Sequence, residues 1–117
     1  MQKITDVKPK QIVKGITGHY VHGDLQTLGY IFIKKGSVIP EHHHPHEQIT
    51  FILDGQLDMV IDGKLYSLTN GTYHIIHSNV PHSAVAITDV VAIDTFSPVR
   101  EEYKDVETEA FTSTVES

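Results

Sequence analysis

The chain contains no cysteine and no tryptophan. Without thiols there is no disulfide framework, no thiolate metal site and no cysteine nucleophile. No apolar run approaches the roughly 18 residues that a membrane-spanning helix needs. The lysine-bearing start, MQKITDVKPKQIVKG, has no apolar stretch behind it, which argues against a signal peptide. With no targeting segment in view, the expected compartment is the cytoplasm. Bases are scarce: nine Lys and Arg stand against fifteen Asp and Glu, a net charge of −6. Nothing here supplies the basic patch that nucleic acid requires, so neither nucleic acid nor membrane is an expected partner. Residues 101–117 hold six acids (Glu101, Glu102, Asp105, Glu107, Glu109 and Glu116) against Lys104. That stretch reads as a solvated acidic tail following one domain, residues 1–100.

Helical periodicity is also missing. From residue 27 onward the chain alternates short runs of β-branched and aromatic residues with turn signals. The expected strands are Thr27–Lys34, Gln48–Leu53, Gln56–Ile61, Lys64–Leu68, Thr72–Ile76, Ser83–Ile87 and Val90–Phe96. Asp54-Gly55 and Asp62-Gly63 read as hairpin turns, because a type I′ turn needs positive φ at both central residues. Asn70-Gly71 is a further turn. Helix is confined to one short turn near the N-terminus and one after Arg100. Seven or more short strands at this spacing predict an all-β sandwich or barrel.

Histidine is what the chain has in excess. Seven of its nine histidines fall in two segments: His42, His43, His44 and His46, then His74, His77 and His82. Side chains two apart on a strand face the same way, so His42 and His44 point together and Gln48 shares their parity. Two imidazoles and a carbonyl oxygen make most of a shell for a divalent first-row metal, and His82, delivered by the second segment, can close it. Glu47 has the opposite parity and is expected to point outward. His43 and His46 are read as surface or rim histidines rather than ligands. His74 and His77 stand open between pocket residues and partly buried, hydrogen-bonded histidines. Asp94, Phe96 and Arg100 form a third group at the end of the last strand. Either they surround the open side of the metal, or Asp94 caps the barrel and Arg100 makes an ordinary salt bridge.

The two histidine segments resemble the paired motifs of the cupins. Gly36, His42, His44, Gln48 and Gly55 occupy the places of the first motif. Gly71, His77, Asn79 and His82 occupy those of the second. The resemblance covers about residues 27–96 and implies a cupin double-stranded β-helix, a jelly-roll β-barrel. Gln48 stands where many cupins have Glu, His77 where they have Pro, and Asn79 where they have Gly. Asn tolerates the left-handed backbone such a position needs. A neutral shell of three histidines and Gln48 leaves the charge of the metal unbalanced and favours an anionic ligand.

The run His-x-His-Pro-His-Glu-Gln, then Asn-Val-Pro-His, then Asp-x-Phe-Ser-Pro-x-Arg is similar to the small cupins of pectin and alginate catabolism, the KdgF type. That resemblance implies metal-dependent conversion of 4,5-unsaturated uronate monosaccharides to linear ketouronates. It makes His42, His44, Gln48 and His82 ligands of one divalent transition metal (Zn, Ni, Mn or Fe), with Asp94, Arg100 and Phe96 as the catalytic group. The partner is then a small uronate-like anion. The alternatives are a metal-dependent dioxygenase or lyase acting on another small carboxylic acid, and a non-catalytic sugar- or acid-binding cupin. A homodimer is expected, with the segment from His19 to His22 adding an edge strand.

Overall fold

The computed structural model describes residues 1–104. Ten strands follow a 3₁₀ turn at Ile4–Asp6: β1 Lys10–Val13, β2 Ile16–His22, β3 Thr27–Ile33, β4 Val38–His42, β5 Glu47–Asp54, β6 Leu57–Ile61, β7 Lys64–Leu68, β8 Tyr73–Ile76, β9 His82–Ala86 and β10 Val90–Ser97. A second 3₁₀ turn occupies Glu101–Tyr103. The strands form two antiparallel sheets, one ordered β1-β2-β3-β10-β5-β8 and one ordered β4-β9-β6-β7. Together they make the expected jelly-roll barrel. Alternation decides which side chains fill it. Ile31 and Ile33 of β3, Ile52 of β5 and Val90 and Ala92 of β10 are buried from one sheet. Leu57, Met59 and Ile61 of β6 and Ala84 and Ala86 of β9 are buried from the other.

The turns bear out one hairpin signal and correct another. Asp62 and Gly63 both have positive φ, 52° and 80°, and join the paired strands β6 and β7. Asp54-Gly55, by contrast, connects β5 to β6 across the two sheets, so no hairpin forms there. Gly55 takes φ +104°, and a Cβ at that position would collide with the carbonyl of Asp89. The glycine is needed for a close crossing between sheets, not for a tight hairpin. Asn79 has φ +64°, the left-handed conformation its place in the second motif demands.

Two strands, β1 and β4, went unread in the sequence, and β2 was expected only in part, as an edge strand from His19 to His22. β1 and β4 are short and carry Lys10, Gln11 and Pro40 where a β-rich run would be sought. β2 contains Gly18 and two histidines, which dilute its pattern. It is also not a free edge: β1 covers it on one side and β3 pairs with it on the other. No helix among the described residues is long and apolar enough to cross a membrane.

Candidate metal centre

His42 is the last residue of β4 and His82 the first of β9, and the two are register partners with ring centroids 4.3 Å apart. His44 follows in the loop, and Gln48 enters β5 in the opposite sheet. Burial alternates without a break through this loop: His44, His46, Gln48, Thr50 and Ile52 are buried, and the residues between them are not. Pro45 does not shift the register. The site is therefore assembled at the seam between the two sheets.

Each of the three histidines is pinned through Nδ1. That atom of His42 donates to the Pro40 carbonyl at 2.8 Å, that of His82 to the Val80 carbonyl at 2.8 Å, and that of His44 to the His46 carbonyl at 3.1 Å. A carbonyl only accepts, so the proton sits on Nδ1 and the Nε2 lone pair is left free in all three rings. Burial also pulls His44 below the ordinary histidine range, and His82 down to about 4, against the raising effect of its bond to Val80. Both are held as neutral imidazoles, the form that binds metal.

The orientation of Gln48 follows from its far side. Its Nε2 donates to Thr50 Oγ1 at 2.9 Å, and Thr50 Oγ1 donates to Asp94 Oδ1 at 2.7 Å. That chain turns Gln48 Oε1 toward His44 Nε2, 3.0 Å away. Two acceptors then face one another, an arrangement that a cation relieves. Two donors each about 2.1 Å from one ion sit about 3 Å apart when at right angles. The donor atoms of His42, His44 and His82 all lie within 4.8 Å of one another. His82 Nε2 is buried with no hydrogen-bond partner among the described residues. These residues fit a divalent cation.

Beside them, the inner face of the six-stranded sheet carries one continuous row: Tyr20, Gly29, Asp94, Thr50 and His74 are successive register partners. The next row sets Phe96 beside Gln48. Asp94 is raised to about 6, chiefly by burial, while Thr50, Arg100 and Gln48 oppose the rise. Its residual exposure is toward the cavity it lines. Arg100 is buried, its backbone N–H held by Thr27 Oγ1 at 2.8 Å. Its guanidinium carbon stands 4.9 Å from the Phe96 ring centroid and 4.2 Å from that of Tyr103. Arg100 Nε lies 3.0 Å from a Glu102 carboxylate oxygen, so the ordinary salt bridge and the place at the site both exist.

These groups border a cavity of about 350 Å³. His42, Gln48, His82, Asp94, Phe96 and Arg100 line its polar part, and Ile16, Ile31, Ile33, Leu57 and Met59 line an apolar part. Two lining residues were missed in the sequence, Tyr20 and Tyr103. The place of Tyr20 shows only in the fold: a Cβ on Gly18 or Gly29 would lie 2.6 Å from its ring, so the pair of glycines clears the wall for it. Gly29 stands between Tyr20 and Asp94 and lets the ring reach toward the carboxylate. Burial raises both tyrosine hydroxyls above their usual range. Tyr103 belongs to the stretch read as an acidic tail. Residues 101–104 instead turn back, and Tyr103 packs on Tyr20 with centroids 4.7 Å apart. The rest of that tail, 105–117, lies outside the described residues.

The remaining histidines divide differently from expectation. His43 is exposed, as read. His46, expected at the surface or rim, is buried and lies edge-on to His44 and Phe96, because the alternation that buries His44 and Gln48 includes it. His74 is half-buried and stacks on Tyr66 at 4.3 Å. His77, read as a pocket or partly buried residue, is exposed, 3.9 Å from the outward-pointing Glu47. Neither His74 nor His77 lines the cavity.

The family model for the cupin domain matches residues 29–96, both histidine segments included. The chain belongs to the cupin family. This cupin is 32% identical over 81 residues to the pectin degradation protein KdgF of Dickeya dadantii, covering 68% of the chain and 74% of that protein. It is 40% identical over 63 residues to quercetin 2,3-dioxygenase of Bacillus subtilis, covering 52% of the chain but only 18% of the dioxygenase. Among solved structures, an RmlC-like cupin from Shewanella frigidimarina superposes with a TM-score of 0.81 at 28% identity, over 86% of this chain and 91% of that one. KdgF from Halomonas sp. has the same fold, with a TM-score of 0.80 at 24% identity over 86% and 94%.

Proposed function

We propose that this cupin converts 4,5-unsaturated uronate monosaccharides to linear ketouronates in the breakdown of pectin or alginate. His42, His44, Gln48 and His82 would hold one divalent transition metal, and Asp94, Arg100 and Phe96 would act on the bound sugar. The observation that carries the reading is that a half-buried carboxylate raised to about 6 and a buried guanidinium line the same cavity as His42, Gln48 and His82. The likeness to the pectin degradation protein KdgF of Dickeya dadantii supports a place in pectin breakdown, and the motif resemblance implies the unsaturated uronate.

The reaction asks little beyond proton movement. Ring opening breaks the C1–O5 bond, with O1 losing a proton and C1 becoming a carbonyl. The enol left at C5 then takes a proton at C4 and becomes a ketone, so the overall change is an isomerisation. A bound cation would polarise the sugar oxygens and favour loss of the O1 proton. Arg100, resting against the Phe96 and Tyr103 rings and anchored through Thr27, offers its guanidinium to the C6 carboxylate. Phe96 presents an apolar face to the ring. Asp94, poised between protonated and ionised near neutrality, moves a proton between donor and carbon.

The test follows the ultraviolet absorbance of the conjugated double bond in metal-loaded protein supplied with an unsaturated uronate. Wild type should remove it much faster than the spontaneous reaction. Asp94→Asn should lose at least about 100-fold in rate with metal content intact, and His82→Ala should lose both metal and activity. No acceleration by verified, metal-loaded wild type overturns the reading.

A second reading is favoured by the apolar part of the cavity. A metal-dependent dioxygenase or lyase acting on a small acid with an apolar portion would use Ile31, Ile33, Leu57 and Met59, which a sugar acid leaves idle. Oxygen uptake during turnover of such an acid separates a dioxygenase from an isomerase.

A further inference from the structure

Arg100 is the only arginine of the chain, and the fold buries it against the cavity. A long side chain needs a rigid partner there if its planar fork is to keep one orientation. The local sequence supplies that partner. Glu101–Tyr103 closes as a 3₁₀ turn after Arg100, with the Tyr103 N–H donating to the Arg100 carbonyl at 3.0 Å. Such a turn eclipses side chains three apart, so the Tyr103 ring comes to lie against the Arg100 guanidinium. The ring is itself held in place. It packs on Tyr20 of β2 with centroids 4.7 Å apart and stands edge-on to Phe96 of β10 at 5.7 Å. The residue after it is tied to β1, where Lys10 Nζ donates to the Lys104 carbonyl at 3.0 Å.

Two other groups touch the guanidinium. A Glu102 carboxylate oxygen lies 3.0 Å from Arg100 Nε, but that contact lacks the direction of a hydrogen bond. The Glu102 side chain is also 52% exposed, so water screens the pair. The Phe96 ring is the more distant of the two aromatics, 4.9 Å from the guanidinium carbon against 4.2 Å for Tyr103. We propose that Tyr103 is a positioning residue for Arg100, its ring fixing the plane in which the guanidinium meets the carboxylate of the substrate. The inference rests on the reading that Arg100 receives that carboxylate. A cation is drawn to an aromatic face, more strongly where water is excluded. A fork already held in its plane loses less freedom when it pairs with two oxygens. The short turn after the last strand is then a working wall of the site, and its aromatic face, not its hydroxyl, does the holding.

Positioning of this kind acts on binding, so KM should move and kcat should not. Tyr103→Leu keeps apolar bulk without the aromatic face. In metal-loaded protein it should raise KM for an unsaturated uronate by about 5- to 30-fold, with kcat and metal content unchanged. Tyr103→Phe should recover most of that loss. In an Arg100→Lys background, where the planar fork is gone, Tyr103→Leu should add nothing. A second measurement needs no turnover. A lone arginine gives one Nε–Hε nitrogen–proton correlation, which the Tyr103 ring current should displace in the wild type and in Tyr103→Phe, but much less in Tyr103→Leu. A loss in kcat in place of KM, no recovery in Tyr103→Phe, a further loss on top of Arg100→Lys, or a correlation unmoved by Tyr103→Leu overturns the proposal. A wild type that leaves the uronate untouched removes the reaction, and the Nε–Hε correlation still decides whether Tyr103 holds Arg100.

Discussion

At Asp94 and His82 burial acts on opposite charges, and the metal-free protein should report both. Asp94 binds its proton more tightly folded, near 6, than unfolded, near 3.8. Its contribution to stability is therefore full below about pH 4 and is lost as pH rises through 6. Asp94→Asn should stabilise the metal-free protein by up to about 3 kcal/mol at pH 7, a gain that fades below pH 4. Denaturant midpoints across that range check it. His82 has the reverse linkage: its folded value of about 4 lies below the unfolded 6.5, so stability is lost as pH falls between them. His82→Ala should flatten that part of the acid limb. Tyr20 raises a question of recognition instead. Its hydroxyl has no hydrogen-bond partner among the described residues, and its ring borders the cavity beside Asp94. Tyr20→Phe should cost about 3- to 10-fold in kcat/KM on an unsaturated uronate, the loss of one neutral hydrogen bond, with metal content unchanged.

Two neighbouring strands show why part of the site could be read from sequence and part could not. Asp94 and Phe96 were found because β10 is a plain run of alternating β formers, so parity alone assigns their face. Gln48 and Thr50 follow the same rule on β5, and the motif spacing brought in His42, His44 and His82. Tyr20 was out of reach because its importance depends on Gly29, a residue on another strand whose missing side chain makes room. Only the register between β2 and β3 reveals that relation. Tyr103 was hidden by averaging, one aromatic among the acids of residues 101–117. The Tyr20–Gly29 relation is testable as a pair. Gly29→Ala would set its Cβ 2.6 Å from the Tyr20 ring and should destabilise by about 1–3 kcal/mol. In a Tyr20→Ala background the same change should cost almost nothing, and thermal denaturation of the four proteins measures the coupling.

Over the whole molecule, the cavity is a break in the core, because the barrel is open where the candidate donors converge. Filling that site should be felt throughout the fold. Free metal at about 1,000 times its dissociation constant adds ~4 kcal/mol to stability when only the folded chain binds it. For a domain of this size each kcal/mol moves the melting temperature by about 4–8 °C. A rise of this order on adding metal, reversed by a chelator and absent in His82→Ala, is the expected result.

The donors also come from different sheets: His42 and His82 from the four-stranded one, Gln48 from the six-stranded one. An ion shared among them is a cross-link between residues forty positions apart, in a chain that has no covalent one. Such a link can be withdrawn. If metal is scarce, the seam between the sheets would lose that tie, and β4 and β9, which carry His42 and His82, would be the strands expected to open first to a protease. Metal supply would then govern how long each molecule survives, as well as whether it turns over substrate.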